Sequence, residues 1–200
     1  MRKTIYLIIA ITIVATALNW TDSCTELHTD KELFGQNLMY AEMYRHEDPD
    51  YGFVIRYPSF FVHQLDSLND SKGYARFSYN DQWVTVVLES YMLPNPGQSV
   101  KSAADSLAQA LHATSTRCGK DYFILSGPQY ENESLIKGYS YYSKFVRNYK
   151  FWFVYTMVYP DHYHDVLSRL FKEIDEWQIW EDPQLEFRQG ESQTPKTVSE

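Results

Sequence analysis

The sequence has few of the residues that build metal, redox and phosphate sites. Its 200 residues include two cysteines, Cys24 and Cys118, and eight glycines. The cysteines have neither metal-ligand spacing nor a redox motif, and the glycines form neither a phosphate-binding loop nor a G-x-S-x-G elbow. We therefore predict no cofactor, no metal site and no catalytic residue.

Clusters of basic residues are also missing. The 18 lysines and arginines are scattered among 26 acidic residues, which gives a formal net charge of −8. A protein that binds duplex nucleic acid needs clustered basic side chains to neutralise phosphates. We therefore expect no nucleic-acid partner.

No apolar run reaches the length of about 20 residues that a membrane-spanning helix needs. The longest runs from Ile5 to Leu18 and follows the basic pair Arg2 and Lys3, which is typical of an export signal. We assign residues 1–24 to such a signal. The protein is thus predicted to be exported to the periplasm or to a membrane surface.

Two processing routes fit this N-terminus. The A-x-A site that ends at Ala17 predicts cleavage and a soluble product, in which a Cys24–Cys118 disulfide can form in an oxidising compartment. The stretch TDSC resembles a bacterial lipobox, in which Cys24 carries the lipid anchor and Cys118 is a free thiol. We favour lipid attachment at Cys24, because this cysteine otherwise has no role; a retained anchor ranks third.

The rest of the chain has the composition of one folded domain. Apolar residues make up 44% of the sequence, and 17 tyrosines are among the aromatic residues, which is enough to form a core. We expect a polar tether over 25–37, a single domain over 38–180 and a disordered tail over 181–200.

Alternation of apolar and polar residues predicts several strands. A first strand is expected from Leu38, with a helix over the same residues as the alternative. In the stretch GFVIRYP, Phe53, Ile55 and Tyr57 share one face of a strand that Pro58 ends. Extended structure resumes over 60–64, and a hairpin joins residues 74–79 to 83–92.

Three further strands are predicted at 122–129, 135–146 and 151–159. The links between them are short, so neighbouring strands are expected to be antiparallel. The last strand is apolar on both faces, which indicates a sheet that is covered on both sides.

Two amphipathic helices are predicted to cover this sheet. Ser99 is a good N-cap for the first and Asp161 for the second. The apolar stripe of the first helix is Val100, Ala103, Ala104, Leu107, Ala108 and Leu111. The stripe of the second is Tyr163, Val166, Leu167, Leu170, Phe171, Ile174 and Trp177.

This order of elements, together with Gly52-Phe53 at the start of an early strand and Tyr57-Pro58 at its end, resembles the PsbP/Mog1-like superfamily. The resemblance runs from about Leu38 to Trp180. It implies an α+β fold in which an antiparallel sheet is covered by helices on both faces, an α/β/α sandwich. It also implies an accessory, assembly or binding module, often exported and lipid-anchored.

Three polar clusters are candidate ligand sites. His162 and His164 lie two residues apart, a spacing that puts them on different sides of a helix. The run His46-Glu47-Asp48 is explained equally well as a charged turn. Asp66, Asn69 and Asp70 lack the spacing of a calcium loop. We predict structural roles for all three clusters.

The aromatic surplus allows a binding face. Tyrosine and tryptophan favour strands and core packing, but they also anchor partners well. The candidate face consists of Tyr139, Tyr141, Tyr142, Tyr149 and Trp152.

The resulting hypothesis is a non-enzymatic binding or accessory module of the cell envelope that recognises a protein partner. Two alternatives are an exported hydrolase with dispersed acidic and histidine residues, and a structural domain of a larger envelope complex. A hydrolase should have a deep pocket with convergent polar groups, whereas a binding module should have an aromatic patch or a shallow groove.

Overall fold

The computed structural model describes residues 30–49, 51–64, 73–81, 84–148 and 150–179. The chain divides into two compact units, Met1–Tyr40 and Ala41–Glu200. No helix within the described residues is long and apolar enough to span a membrane. The predicted export signal, Cys24 and the tail over 181–200 lie outside the described residues.

In the first unit, residues 30–40 form helix α1. Phe34 and Leu38 are both buried, and residues four apart share one face of a helix. The strand expected from Leu38 is therefore wrong for residues 38–40, which are helical. Residues 30–37 of the stretch assigned to a tether are helical as well. The helical alternative applies here because its apolar spacing is four rather than two.

The described part of the second unit contains a two-stranded hairpin and a seven-stranded antiparallel sheet. The hairpin pairs β1 (Met43–Glu47) with β2 (Val54–Pro58). The strands of the sheet are β3 (Val62–Gln64), β4 (Ala75–Asn80), β5 (Thr85–Pro94), β6 (Ser115–Cys118), β7 (Tyr122–Glu131), β8 (Ser134–Asn148) and β9 (Phe151–Pro160). Their order across the sheet is β3-β4-β5-β9-β8-β7-β6.

Helix α2 (Val100–Ala110) covers one face of this sheet. Ala103 and Ala104 are fully buried in a cluster with Phe123 and Trp152, so the small side chains let the helix approach the strands closely. Ser99 accepts a hydrogen bond from the Ser102 backbone N–H at 3.2 Å. The predicted cap and apolar stripe of this helix are confirmed.

The opposite face is covered by the β1–β2 hairpin and helix α3 (Ser168–Glu176). The ring of Phe53 packs edge-on against Phe153 and Trp177, with ring centroids 5.2 and 6.4 Å away. Helices thus lie on both faces of one antiparallel sheet, and the predicted fold class is confirmed.

Within the GFVIRYP stretch, Val54–Pro58 forms the predicted strand β2, and Pro58 is its last residue. Phe53 and Ile55 are buried, while Tyr57 stacks on Phe77 with ring centroids 3.9 Å apart. Gly73 leaves room for the Phe53 ring, because a Cβ atom at position 73 would lie 2.8 Å from that ring.

The predicted start of the last helix is wrong. Residues Asp161–Val166 form a 3-10 helix, and α3 begins at Ser168 without a side-chain cap. The Asp161 carboxylate instead accepts a hydrogen bond from Ser140 Oγ at 2.6 Å, so it ties this segment to β8. Strand β6 was not predicted, since all four of its residues are exposed and give no apolar signal.

Candidate functional site

The five aromatic residues of the candidate binding face do not form one surface. Tyr141 and Trp152 are buried beneath α2, whereas Tyr142 lies on the α3 face, where its ring packs against Phe171. Tyr139 is half-buried, and Tyr149 lies outside the described residues. Successive strand residues point to opposite faces, and here both faces are covered.

Tyr141 instead lines a cavity of about 310 Å³ near the C-terminal end of α2. The sheet contributes Glu89, Tyr91, Tyr141, Ser143, Thr156 and Val158. The end of α2 and the residues just after it contribute Ala110, Leu111 and His112, and the β7–β8 hairpin contributes Gln129, Tyr130 and Glu133.

The end of α2 places His112 at the rim of this cavity. The Ala113 N–H donates to the Ala108 carbonyl at 2.8 Å, and the His112 N–H donates to the Gln109 carbonyl at 3.3 Å. This is a Schellman motif, whose left-handed position usually holds glycine. Here His112 holds it with φ 52°, and its ring lies 4.3 Å from that of Tyr130.

Gly127 on β7 lets this helix end approach the sheet. A Cβ atom at Gly127 would lie 2.9 Å from the His112 carbonyl oxygen and 3.1 Å from Ala113 Cα. Since both neighbours are backbone atoms, a larger residue would push the segment away from β7. Gly127 pairs with Tyr141, so it sets the distance between the rim and the floor.

The tip of the β7–β8 hairpin is a second strained element of the rim. Asn132 and Glu133 have φ values of 49° and 64°, as in a type I′ turn, whose second position favours glycine. All three non-glycine residues with positive φ in the described chain therefore lie at the rim or beside it. Backbone strain of this kind costs about 1–3 kcal/mol per residue and clusters at functional sites.

The floor of the cavity carries a carboxylate in a strand that is otherwise largely apolar. Burial raises the pKa of Glu89, and Arg76 opposes this shift through charge and a hydrogen bond. Arg76 Nη1 lies 2.7 Å from Glu89 Oε1. A single glutamate in the run VTVVLESYM was the signal in the sequence that could have identified this position.

Two tyrosine hydroxyls lie in the lining of the same cavity. Burial raises the pKa of Tyr91 to about 12, with a further contribution from Glu89, and burial followed by Tyr91 raises that of Tyr141 to about 12. The Tyr141 hydroxyl is buried without a hydrogen-bond partner among the described residues. The cavity can therefore offer hydrogen-bonding groups and aromatic faces to a ligand.

Polar groups on the α3 face are used within the protein. Lys144 Nζ donates to the backbone carbonyls of Asp175 and Trp177, each at 2.6 Å. Asp175 Oδ1 accepts from Tyr142 Oη and from Arg117 Nη2, also at 2.6 Å. This network holds the C-terminal end of α3 against β8.

The structure brings together two histidines that are distant in sequence. The rings of His46 and His63 lie 5.4 Å apart, and His63 stacks on Phe77 at 4.7 Å. Burial lowers the pKa of His46, and His63 lowers it further, against an opposing effect of Asp48. Sequence reasoning missed this pair because its members lie on β1 and β3.

The remaining candidates occupy structural positions. His162 packs edge-on against Tyr163, and His164 lies against Phe171. Asp48 Oδ1 accepts from the Tyr51 N–H at 2.6 Å, which forms the predicted charged turn. No group of three histidine, cysteine or acidic residues suited to a metal exists within the described residues. Cys118 is exposed, and Asp66, Asn69 and Asp70 lie outside the described residues.

Comparison with known proteins gives one likeness in fold. No protein-family model and no curated protein sequence matches the chain. Among solved structures, it is similar to the solution structure of cyanobacterial PsbP (CyanoP) from Synechocystis sp. PCC 6803, at 12% identity and a TM-score of 0.48. The match covers 70% of this chain and 94% of that one. The likeness concerns the fold alone.

Proposed function

We propose that the protein is a non-enzymatic accessory module of the cell envelope that recognises a protein partner through the tip of its β7–β8 hairpin. We call residues 129–138 of this hairpin the arm. The observation that carries the proposal is the extension of the arm beyond the sheet. The lipid anchor at Cys24 is part of the proposal and holds the module at the membrane.

The arm has no neighbour in the sheet on its β9 side. β9 pairs with β8 from Tyr139 onward, whereas β7 and β8 continue to pair as far as Glu131 and Ser134. Tyr130 of the arm packs against His112 at the end of α2, and a two-stranded ribbon with little other support is marginally stable in water. A ribbon that projects in this way suits contact with a partner better than support of the core.

The surface of the arm combines an apolar side chain with acidic ones. Leu135 is 48% exposed, and Glu131 and Glu133 at the tip are both exposed. An exposed apolar residue with acidic neighbours fits a partner that offers an apolar pocket with a basic rim. The partner is therefore expected to be a protein with a basic patch.

The edges of the sheet are less suited to this role. The two edge strands are β3 and β6, with three and four residues. Short edge strands limit pairing with other chains. Recognition by addition of a strand is therefore disfavoured relative to the arm.

Site-specific crosslinking tests the arm in cells. A photoreactive amino acid is placed at Leu135 in the full chain, and a matched control is placed at Val62, which is 66% exposed on β3. We expect one envelope protein to crosslink at position 135 and not at 62. The captured protein is then purified for binding measurements.

Purified components provide the decisive measurement. Glu131→Lys should weaken binding of the captured protein by about tenfold at low salt and reduce its salt dependence, because a rim charge contributes chiefly through long-range attraction. Lys101→Glu, an exposed change on α2, is the control. Equal binding of the captured protein by the unaltered chain, Glu131→Lys and Lys101→Glu would contradict the role of the arm.

The anchor is tested separately by intact-mass measurement of protein from the membrane and soluble fractions. A lipid-modified Cys24 at the N-terminus of the membrane form is the expected result. An unmodified chain that begins at Leu18 would contradict it.

A further inference from the structure

We propose that the cavity between the end of α2, the sheet and the base of the arm is a binding site for an organic ammonium group. The acceptors are the Glu89 carboxylate and the Tyr141 hydroxyl. Glu133 lines this cavity and also lies at the tip of the arm, so the site adjoins the contact proposed for Leu135 and Glu131. It goes beyond the proposed function.

The unpaired hydroxyl of Tyr141 is the first observation. Tyr141 is 6% exposed, it lines the cavity, and its Oη atom has no hydrogen-bond partner in the described part of the chain. A buried hydroxyl without a partner costs about 1–3 kcal/mol. A ligand that supplies an N–H donor can pair with the oxygen of this hydroxyl.

The charge of the lining is the second observation, and it selects a cation. The lining includes the carboxylates of Glu89 and Glu133, and none of its described residues is a lysine or arginine. Arg76 and Tyr74 each make one side-chain hydrogen bond to Glu89. A carboxylate has about four acceptor positions, so Glu89 can accept further N–H groups. An anionic ligand would meet the like charge of Glu133, and at Glu89 it would meet a carboxylate that Arg76 already pairs at one oxygen.

The aromatic rings around these acceptors suit the same ligand. Tyr91, Tyr130 and Tyr141 all line the cavity, and a ligand cation is stabilised over such rings. The volume of about 310 Å³ lies at the lower end of ordinary ligand pockets. It accommodates an alkylammonium chain.

The strained rim is an independent sign that the site is functional. His112 and Glu133 line the cavity in left-handed conformations, where glycine would be less strained. His112 packs against Tyr130, so the strained residue shapes the opening. A purely structural helix end would gain stability from glycine at this position.

The full chain is titrated with Nα-acetyl-L-lysine methylamide, and backbone amide shifts are followed by NMR. We expect shifts at residues 89–91, 110–113 and 141–143, and saturable binding. The Nε-acetylated form of the same probe is the neutral control and should not bind. Glu89→Gln should weaken binding at least tenfold, since it removes the charge that faces the cation.

Tyr141→Phe is the second variant, and it keeps the fold testable if Glu89→Gln destabilises the protein. It removes one oxygen and should weaken binding about threefold to tenfold, the effect of one lost hydrogen bond. Tyr44→Phe, at an exposed position on β1, is the matched control and should bind like the unaltered chain.

A second probe, n-butylammonium, separates the two sources of such a group. Tighter binding of the lysine derivative supports a lysine side chain of a protein, and equal or tighter binding of n-butylammonium supports a free amine. Equal affinity for the acetylated probe, or unchanged affinity in both cavity variants, would overturn the inference. Crosslinking at Leu135 would be unaffected by that failure, so the two proposals fail independently.

Discussion

The two faces of the sheet differ in whether their buried polar groups have hydrogen-bond partners. On the α3 face, Lys144 and Tyr142 are both hydrogen-bonded to the end of α3. On the α2 face, Tyr141 Oη, Trp152 Nε1 and Arg76 Nε are buried without partners in the described residues, while the α3 face has one such atom, Asn148 Oδ1. The adjacent residues Tyr141 and Tyr142 of β8 thus differ: among the described residues, the hydroxyl of Tyr142 is hydrogen-bonded, and that of Tyr141 is not.

This difference indicates that the two faces of the sheet have different roles. Hydrogen bonds that are complete hold a helix in one position, whereas unpaired buried groups cost stability unless a ligand pairs with them. The hydrogen bonds on the α3 face hold the end of α3 in place. On the α2 face, the Tyr141 hydroxyl in the lining of the cavity has no partner among the described residues. Substitutions on the two faces should therefore differ in their effect on the free energy of unfolding.

The largest effect is expected for Lys144→Met on the α3 face. The change removes two N–H donors and leaves two carbonyls at the end of α3 without partners, which should lower the free energy of unfolding by about 2 kcal/mol. Urea denaturation measures it. Lys137→Met, at an exposed position of the arm, is the control. A loss below about 0.5 kcal/mol at position 144 would mean that water replaces the ammonium group.

The adjacent tyrosines give the most direct comparison. Tyr142→Phe should lower the free energy of unfolding by about 1 kcal/mol, because it removes the bond to Asp175. Tyr141→Phe should leave it unchanged or raise it slightly, because its hydroxyl has no partner to lose. Thermal and urea unfolding of both variants without ligand test this. Equal losses at the two positions would contradict the difference between the faces.

The strained helix end gives a smaller effect of opposite sign. His112→Gly should raise the free energy of unfolding by about 0.5 kcal/mol, since relief of the left-handed strain exceeds the loss of the contact with Tyr130. Ala110→Gly, two residues earlier at the last residue of α2, is the control and should be destabilising. A decrease for His112→Gly would show that ring packing stabilises this segment.

The smallest effect is a slope of stability against pH that arises from Glu89. Its pKa is raised above the ordinary value of 4.5, so the folded state holds the proton more tightly than the unfolded state. Its stabilising contribution is present below pH 4.5 and is lost as the pH rises through the raised pKa. The difference in stability between the unaltered protein and Glu89→Gln should therefore decrease over that window. A constant difference would show that Arg76 fully offsets burial.

Much of the fold was predictable because its signals are local. The alternation of Phe53, Ile55 and Tyr57, and the Ser99 cap with its apolar stripe, each follow from residues within one element. The site was not predictable in the same way. Glu89, His112 and Tyr141 belong to three elements, and the partner that Tyr141 lacks is a property of the packed structure.

The sequence by itself determined the strands with a clear apolar pattern, the helix with a strong cap and the layered α+β class, because side-chain periodicity sets which face of an element is apolar. Tertiary structure decided which tyrosines are covered, which group donates a hydrogen bond to Asp161 and which buried polar groups stay unpaired. The reason is physical: periodicity acts within a few residues, whereas burial and hydrogen-bond pairing depend on neighbours that are distant in the chain.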